Sequence, residues 1–334
     1  MMTLASDKTY FFIKKTKPTP SIVYNTYWKF AEERQNIFFK KFNGLEFPWT
    51  NDQILNDHKF TNVYRATDRV SQYLIKNIVN KGDQTIEELF FRILLFKTFN
   101  KISTWEFLET EVGEINLKNY SFKKYDKILS GLFQKTSIYS AAYIMASGKS
   151  FYGYERKHQN HLKLIEVMIK EKLPYKLSNC KKMYKAYNLL LTYPTIGEFL
   201  AYQYITDLNY SSILDFDEME FVKAGPGAKD GISKCFETFG DYCYEDIIRM
   251  IADTQDVEFN RLNIKFQKLW GRPLQLIDCQ NIFCEVDKYS RLAHPEISGH
   301  SNRSRIKQKY TNLEKPPIEY VFPSKWNINL NSKM

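Results

Sequence analysis

Apolar residues recur with helical spacing along most of the chain. From Ser21 to Phe42, Val23, Tyr27, Phe30, Ile37 and Phe38 share one face and Lys29, Glu32, Glu33 and Arg34 the other, which predicts an amphipathic helix. Glu88 to Asn100 is apolar on nearly every side, the pattern of a central helix buried all round. Helical spacing also marks Thr61 to Leu74, Trp105 to Leu108, Tyr125 to Phe133, Ser137 to Ala146, His158 to Lys172, Lys176 to Leu191, Phe199 to Ile205 and Asp278 to Tyr289. Asn43-Gly44 and Pro48 break the pattern, and Thr50 is placed to cap a short helix from Asn51 to Leu55. The pattern predicts a mainly α protein with few or no strands. Residues 1–20 are expected as an extended arm and 21–294 as a helical body, in one piece or two lobes, around a central cleft. Residues 295–334, carrying Arg303, Arg305, Lys307, Lys309 and the Lys315-Pro316-Pro317 step, are expected as a basic tail.

The chain has 334 residues of which 43% are apolar and 16% aromatic, with few Gly and Pro, which suits thick aromatic packing between helices. Its formal net charge of +10 favours a polyanionic partner through counterion release, with a merely solvated basic surface as the plainer alternative. The five cysteines are odd in number, and neither a secretory leader nor an apolar run long enough to span a bilayer is present, so reducing cytoplasm is expected and no membrane partner. The cysteine spacing does not suit an iron–sulfur loop. His158 and His161 have only Glu155 as a near acidic neighbour and are expected to be solvated or phosphate-facing, so neither a metal nor another cofactor is expected. Gly148-Lys149-Ser150 lacks the earlier glycine of a phosphate-binding loop, so no nucleotide cofactor or kinase module is expected either.

The stretch from Leu191 to Gly231 concentrates the candidate chemistry. Tyr193-Pro194-Thr195-Ile196-Gly197 is a turn before an apolar helix, whose free N–H groups suit a phosphate. Asp217 follows twenty residues after Gly197, with Asp215, Glu218 and Glu220 beside it. This pattern resembles the helix-hairpin-helix DNA glycosylases, whose hairpin grips the DNA backbone and whose Asp serves base excision. The position matching the lysine of the bifunctional members is Phe199, and Thr195 stands where the usual hairpin has its first glycine.

Three segments resemble a further branch of that fold more closely: Asn62 to Leu74, Phe221 to Ala228 and Asp278 to Tyr289. The branch is named for α-glutamyl/putrescinyl-thymine pyrophosphorylases and also forms the helical domain of phage hydroxymethyluracil DNA kinases. The resemblance implies double-stranded DNA containing modified pyrimidines as partner. Catalysis of base loss is expected from Asp217 first and Asp215 second, with helix capping as the alternative for each. Contacts to DNA are expected from Thr195, Gly197, Lys223, Gly225, Gly227, Lys229, Arg65 and Arg69. The Gly225-Pro226-Gly227 step is equally compatible with a tight interhelical turn, and Arg65, Asp68 and Arg69 at helical spacing with a structural ion-pair network. Asp278, Asn281, Glu285, Asp287, Lys288 and Tyr289 are expected to wall a base pocket, against the alternative of a Glu285–Lys288 pair within the helix.

The expected activity is a monofunctional DNA glycosylase that removes a hypermodified pyrimidine from phage-type DNA and leaves an abasic site, in antiviral defence. The alternatives are a transferase or pyrophosphorylase-like enzyme that builds such bases, and a non-catalytic DNA-binding module.

Overall fold

A computed structural model describes residues 15–141, 145–312 and 318–330. In chain order the helices are α1 (Ile22–Phe42), α2 (Gln53–Asp57), α3 (Arg69–Tyr73), α4 (Ile86–Phe99), α5 (Ile102–Val112), α6 (Phe122–Lys135) and α7 (Lys149–Tyr152). There follow α8 (Lys157–Lys170), α9 (Leu173–Ser178), α10 (Met183–Leu191), α11 (Glu198–Leu208), α12 (Pro226–Cys235), α13 (Tyr244–Arg261) and α14 (Leu276–Ala293). One short antiparallel pair joins β1 (Thr19–Pro20) to β2 (Phe236–Thr238). The protein is mainly α, as its apolar periodicity predicts.

Two helices act as packing centres. The last eleven residues of α4, Leu89 to Phe99, are all buried, and α5, α8, α9 and α11 pack around it. The second centre is α14, surrounded by α1, α12 and α13. The α12–α14 crossing is close because Gly231 has no side chain: a Cβ there would stand 2.0 Å from the Phe283 carbonyl oxygen. Gly227 lies against Cys284 in the same way. The first helix starts where Ser21 caps it, its hydroxyl accepting the Val23 N–H.

Several expectations change. The stretch from Thr61 to Leu74 is not one helix: a 3-10 turn at Arg65–Thr67 is followed by Asp68 in extended conformation, then α3 and a π-helical turn at Leu74–Val79. Lys176 to Leu191 divides into α9 and α10. The described part of the Ser137–Ala146 stretch is irregular, and residues 142–144 lie outside the described residues, as do 1–14 of the arm and the Lys315-Pro316-Pro317 step. Arg34, expected on the polar face of α1, is buried and holds the Phe60–Asn62 loop through the Phe60 and Thr61 carbonyls and Asn62 Oδ1.

His158 and His161 are buried rather than solvated, His158 on Asp126 at 2.8 Å and His161 between the Tyr139 hydroxyl and the Ala146 carbonyl. Gly148 takes a left-handed conformation and packs against Asn160 and Thr195. The end of the tail lies on the body: the Val321 N–H donates to Gln72 Oε1, and Trp326 Nε1 donates to Glu218 Oε1. Among the described residues no helix is long and apolar enough to cross a membrane.

Candidate functional site

The turn between α10 and α11 carries Thr195 and Gly197. Thr195 sits at φ +70°, the conformation that a glycine reaches without strain, and Gly197 is the N-cap of α11 with open space beside it. Beyond α11, the loop from Asn209 to Phe216 is closed by two hydrogen bonds: Asn209 Nδ2 donates to the Phe216 carbonyl and the Phe216 N–H to Asn209 Oδ1. That closure turns Leu214 and Phe216 inward and Asp215 and Asp217 outward. The Asp215 side chain is 90% exposed and 3.6 Å from the Lys325 ammonium, while Asp217 accepts the Met219 N–H in an exposed turn. Neither carboxylate lines a pocket with the other candidates. The buried member of the cluster is Glu218, held by Arg272 and Trp326, and burial pushes its carboxyl above its ordinary range.

A cleft of about 510 Å³ instead lies where α11 faces α14, with the Lys59–Thr61 loop and the start of α3 at its rim. Arg65 forms part of its floor. Its backbone N–H donates to Asp278 Oδ1 at 2.9 Å, and its guanidinium reaches Asp207 (2.8 Å), the Tyr210 hydroxyl (3.1 Å) and Gln203 Oε1 (3.2 Å). Asp207 also holds the buried Lys97 ammonium at 3.1 Å, so one carboxylate from α11 anchors a cation from each of two other segments. Arg69, displaced from the Arg65 face by the extended Asp68, is exposed at the rim, where Lys59 is exposed too. Asp68 lines the cleft, accepts the Asn62 N–H at 2.8 Å, and is pushed by burial up to about 7.

The α14 wall contributes Gln280, Asn281, Cys284, Glu285 and Lys288. Glu285 accepts the Thr61 N–H and pairs with Lys288 at 2.7 Å; Lys288 also lies 4.5 Å from the centre of the Phe60 ring. Phe199 forms part of the α11 wall. Asp278 does not line the cleft: it caps α14 through the Gln275 N–H and fixes Arg65, and burial pushes it up to about 7. Asp287 faces the other way, into a buried network with Lys234 and Arg291, and Tyr289 bonds Asp52.

The remaining expected DNA contacts lie outside the cleft lining. Lys223 is shared between Glu198 and Glu245, and Lys229 lies over the Tyr244 ring. Gly225 leaves room for the Phe199 ring, which a Cβ would approach to 2.9 Å, so both glycines of the Gly225-Pro226-Gly227 step serve close packing. Lys97, Asp207 and Gln280 carry no direct signal in the sequence, because their roles arise only when α4, α11 and α14 meet. Among the described residues no group of His, Cys, Asp and Glu is arranged to hold a metal ion.

Residues 21–299 match the family described as the helical domain of 5-hmdU DNA kinase. A 5-hmdU DNA kinase of Bacillus phage SP10 is 23% identical over 333 residues, covering 95% of this chain and 52% of the relative. The chain thus spans about half the length of that relative. No solved structure matches it. The expectation of a DNA glycosylase is overturned by these findings: the named relative is a kinase, a transferase, and the matching family is described as part of such a kinase. The expectation of no nucleotide cofactor loses its support for the same reason. The chain belongs to the family of the 5-hmdU DNA kinase helical domain.

Proposed function

We propose that the chain is a DNA-modifying transferase component whose cleft receives a hydroxymethyl-derived pyrimidine nucleotide extruded from DNA, and that it serves to build a hypermodified base. The observation that carries this is the composition of the cleft: a floor of Arg65 and Lys97 tied to Asp207, rim cations Lys59 and Arg69, the amides Gln280 and Asn281, and the Phe199 ring. Rim cations suit backbone phosphate, while amides and an aromatic ring suit a base out of the stack. The name of the relative supports a hydroxymethylated deoxyuridine in DNA as the nucleotide.

Asp68 is the group placed to move a proton. In substitution at a phosphorylated hydroxymethyl group, the bond from the methylene carbon to the phosphate oxygen breaks. A bond to an incoming amine forms, the phosphate departs toward the cations, and the amine proton passes to Asp68. In phosphoryl transfer, which the relative's name favours, the hydroxymethyl oxygen attacks the γ-phosphorus of a nucleoside triphosphate, the bond from that phosphorus to the β–γ bridging oxygen breaks, the nucleoside diphosphate departs, and the hydroxyl proton passes to the same carboxylate. A group titrating near 7 is matched to either task.

The test is to incubate the protein with DNA containing 5-hydroxymethyldeoxyuridine or its phosphorylated form, with ATP or an amine, and to analyse the nucleosides by mass spectrometry. Gain of phosphate, or its replacement by the amine, is the expected result. Unchanged nucleosides with no preference for the modified DNA in binding would overturn the proposal.

A further inference from the structure

Gln280 is 1% exposed, lines the cleft, and has a side-chain carbonyl oxygen with no hydrogen-bond donor. Its amide nitrogen is committed, donating to Asn281 Oδ1 at 3.2 Å and lying 3.4 Å from Cys284 Sγ. That bond orients both amides. Gln280 keeps a buried acceptor without a donor, and Asn281, whose oxygen is occupied, keeps the donor Nδ2. A Cβ on Gly225 would stand 2.9 Å from the Phe199 ring and 3.7 Å from Gln280 Oε1, so ring and carbonyl oxygen stand side by side against the Gly225 backbone.

A buried carbonyl oxygen without a donor is costly, and a ligand that brings a donor recovers that free energy on binding. An open acceptor beside an open donor, next to an aromatic ring, complements the edge of a pyrimidine. Resting on the reading that this cleft holds an extruded nucleotide, we infer that Gln280 and Asn281 determine its base specificity. Gln280 Oε1 accepts the N3–H of a uracil-type ring, Asn281 Nδ2 donates to the carbonyl oxygen next to it, and Phe199 packs on the ring face. A cytosine-type ring has no hydrogen on N3 and sets acceptor against acceptor in this register, leaving Gln280 unsatisfied. Such a mismatch is the strongest form of discrimination a small polar site achieves.

The experiment measures binding to single-stranded oligonucleotides carrying one central 5-hydroxymethyldeoxyuridine, its N3-methyl derivative, 5-hydroxymethyldeoxycytidine or thymidine. Wild-type protein is expected to bind the N3-methyl and cytosine forms roughly ten-fold or more weakly than the first, the range set by one unsatisfied buried group. Gln280→Ala is expected to bind the first two alike, and Gln280→Glu, which keeps an acceptor, to retain a preference for N3–H. Equal wild-type binding of the N3-methyl and parent forms, or full discrimination by Gln280→Ala, overturns the inference. The wild-type comparison stands even if a variant fails to fold. Discrimination against N3-methyl without any preference for the hydroxymethylated base over thymidine upholds the inference and sinks the hydroxymethyl substrate reading, so the two failures are distinct.

Discussion

Asp207 lies 2.8 Å from the Arg65 guanidinium, its own side chain fully buried and that of Arg65 only 6% exposed. The same carboxylate meets Lys97 at 3.1 Å, so it compensates charge on two buried cations at once. Replacing Asp207 with Asn strands both, and the loss of one partner of a buried ion pair costs about 3–5 kcal/mol. Chemical denaturation of the variant is expected to show a loss in that range; a loss below about 1 kcal/mol would contradict the role given to the pair.

Gly231→Ala places a methyl group into the Phe283 carbonyl, which is backbone and cannot turn aside. Helices α12 and α14 must separate, for a destabilisation of about 3 kcal/mol or more. Gly131 on α6 has nothing within 4 Å of a built Cβ, and Gly131→Ala is expected to stabilise by about 0.5–1 kcal/mol through helix propensity. Thermal unfolding of the two variants should move in opposite directions.

The Asp68 carboxyl keeps its proton in the folded state up to about 7, whereas the unfolded chain releases it near 3.8. Between these values the native state binds more protons, so this group makes stability fall as pH rises. Asp68→Asn retains an oxygen for the Asn62 N–H and removes the titration. The variant is expected to gain stability relative to wild type between about pH 4 and about pH 7, read from urea midpoints across that window. Wild-type turnover is expected to rise with pH through about 7, as a base must be ionised to act, and the variant to lose that limb.

Arg69 is exposed at the rim and has no ion-pair partner among the described residues. If it meets a DNA phosphate, Arg69→Ala weakens binding to all sequences alike and reduces the slope of log affinity against log salt by about 1. Binding titrations at several salt concentrations check this, and an unchanged slope would remove Arg69 from the interface.

Elements whose pattern is set by their own residues were legible in the sequence: the amphipathic α1, the all-apolar α4, and α14. The Arg65–Arg69 segment was misjudged because spacing assumes continuous helix, and Asp68 in extended conformation rotates the two arginines apart. Helix α13 went unpredicted although Ile247, Ile248, Ile251 and Phe259 give it an apolar stripe. Of the cleft-lining residues of α14, Asn281, Glu285 and Lys288 lie in a segment singled out by its family resemblance, whereas Gln280 beside them offers an amide and no charge signal. Asp215 and Asp217 form a carboxylate cluster in the sequence, but a pair of hydrogen bonds between the Asn209 side chain and the Phe216 backbone decides which way that loop turns.

Arg65 joins both walls of the cleft: its backbone N–H belongs to the Asp278 cap of α14 and its side chain to Asp207 on α11. The two helices therefore cannot drift apart without breaking a buried charge pair. Much of the entropy of assembling that floor has been met when the chain folds, and an incoming nucleotide encounters a receptor already set. Affinity here should then be governed by the fit of the base and its substituent, with little surcharge for reorganising the protein.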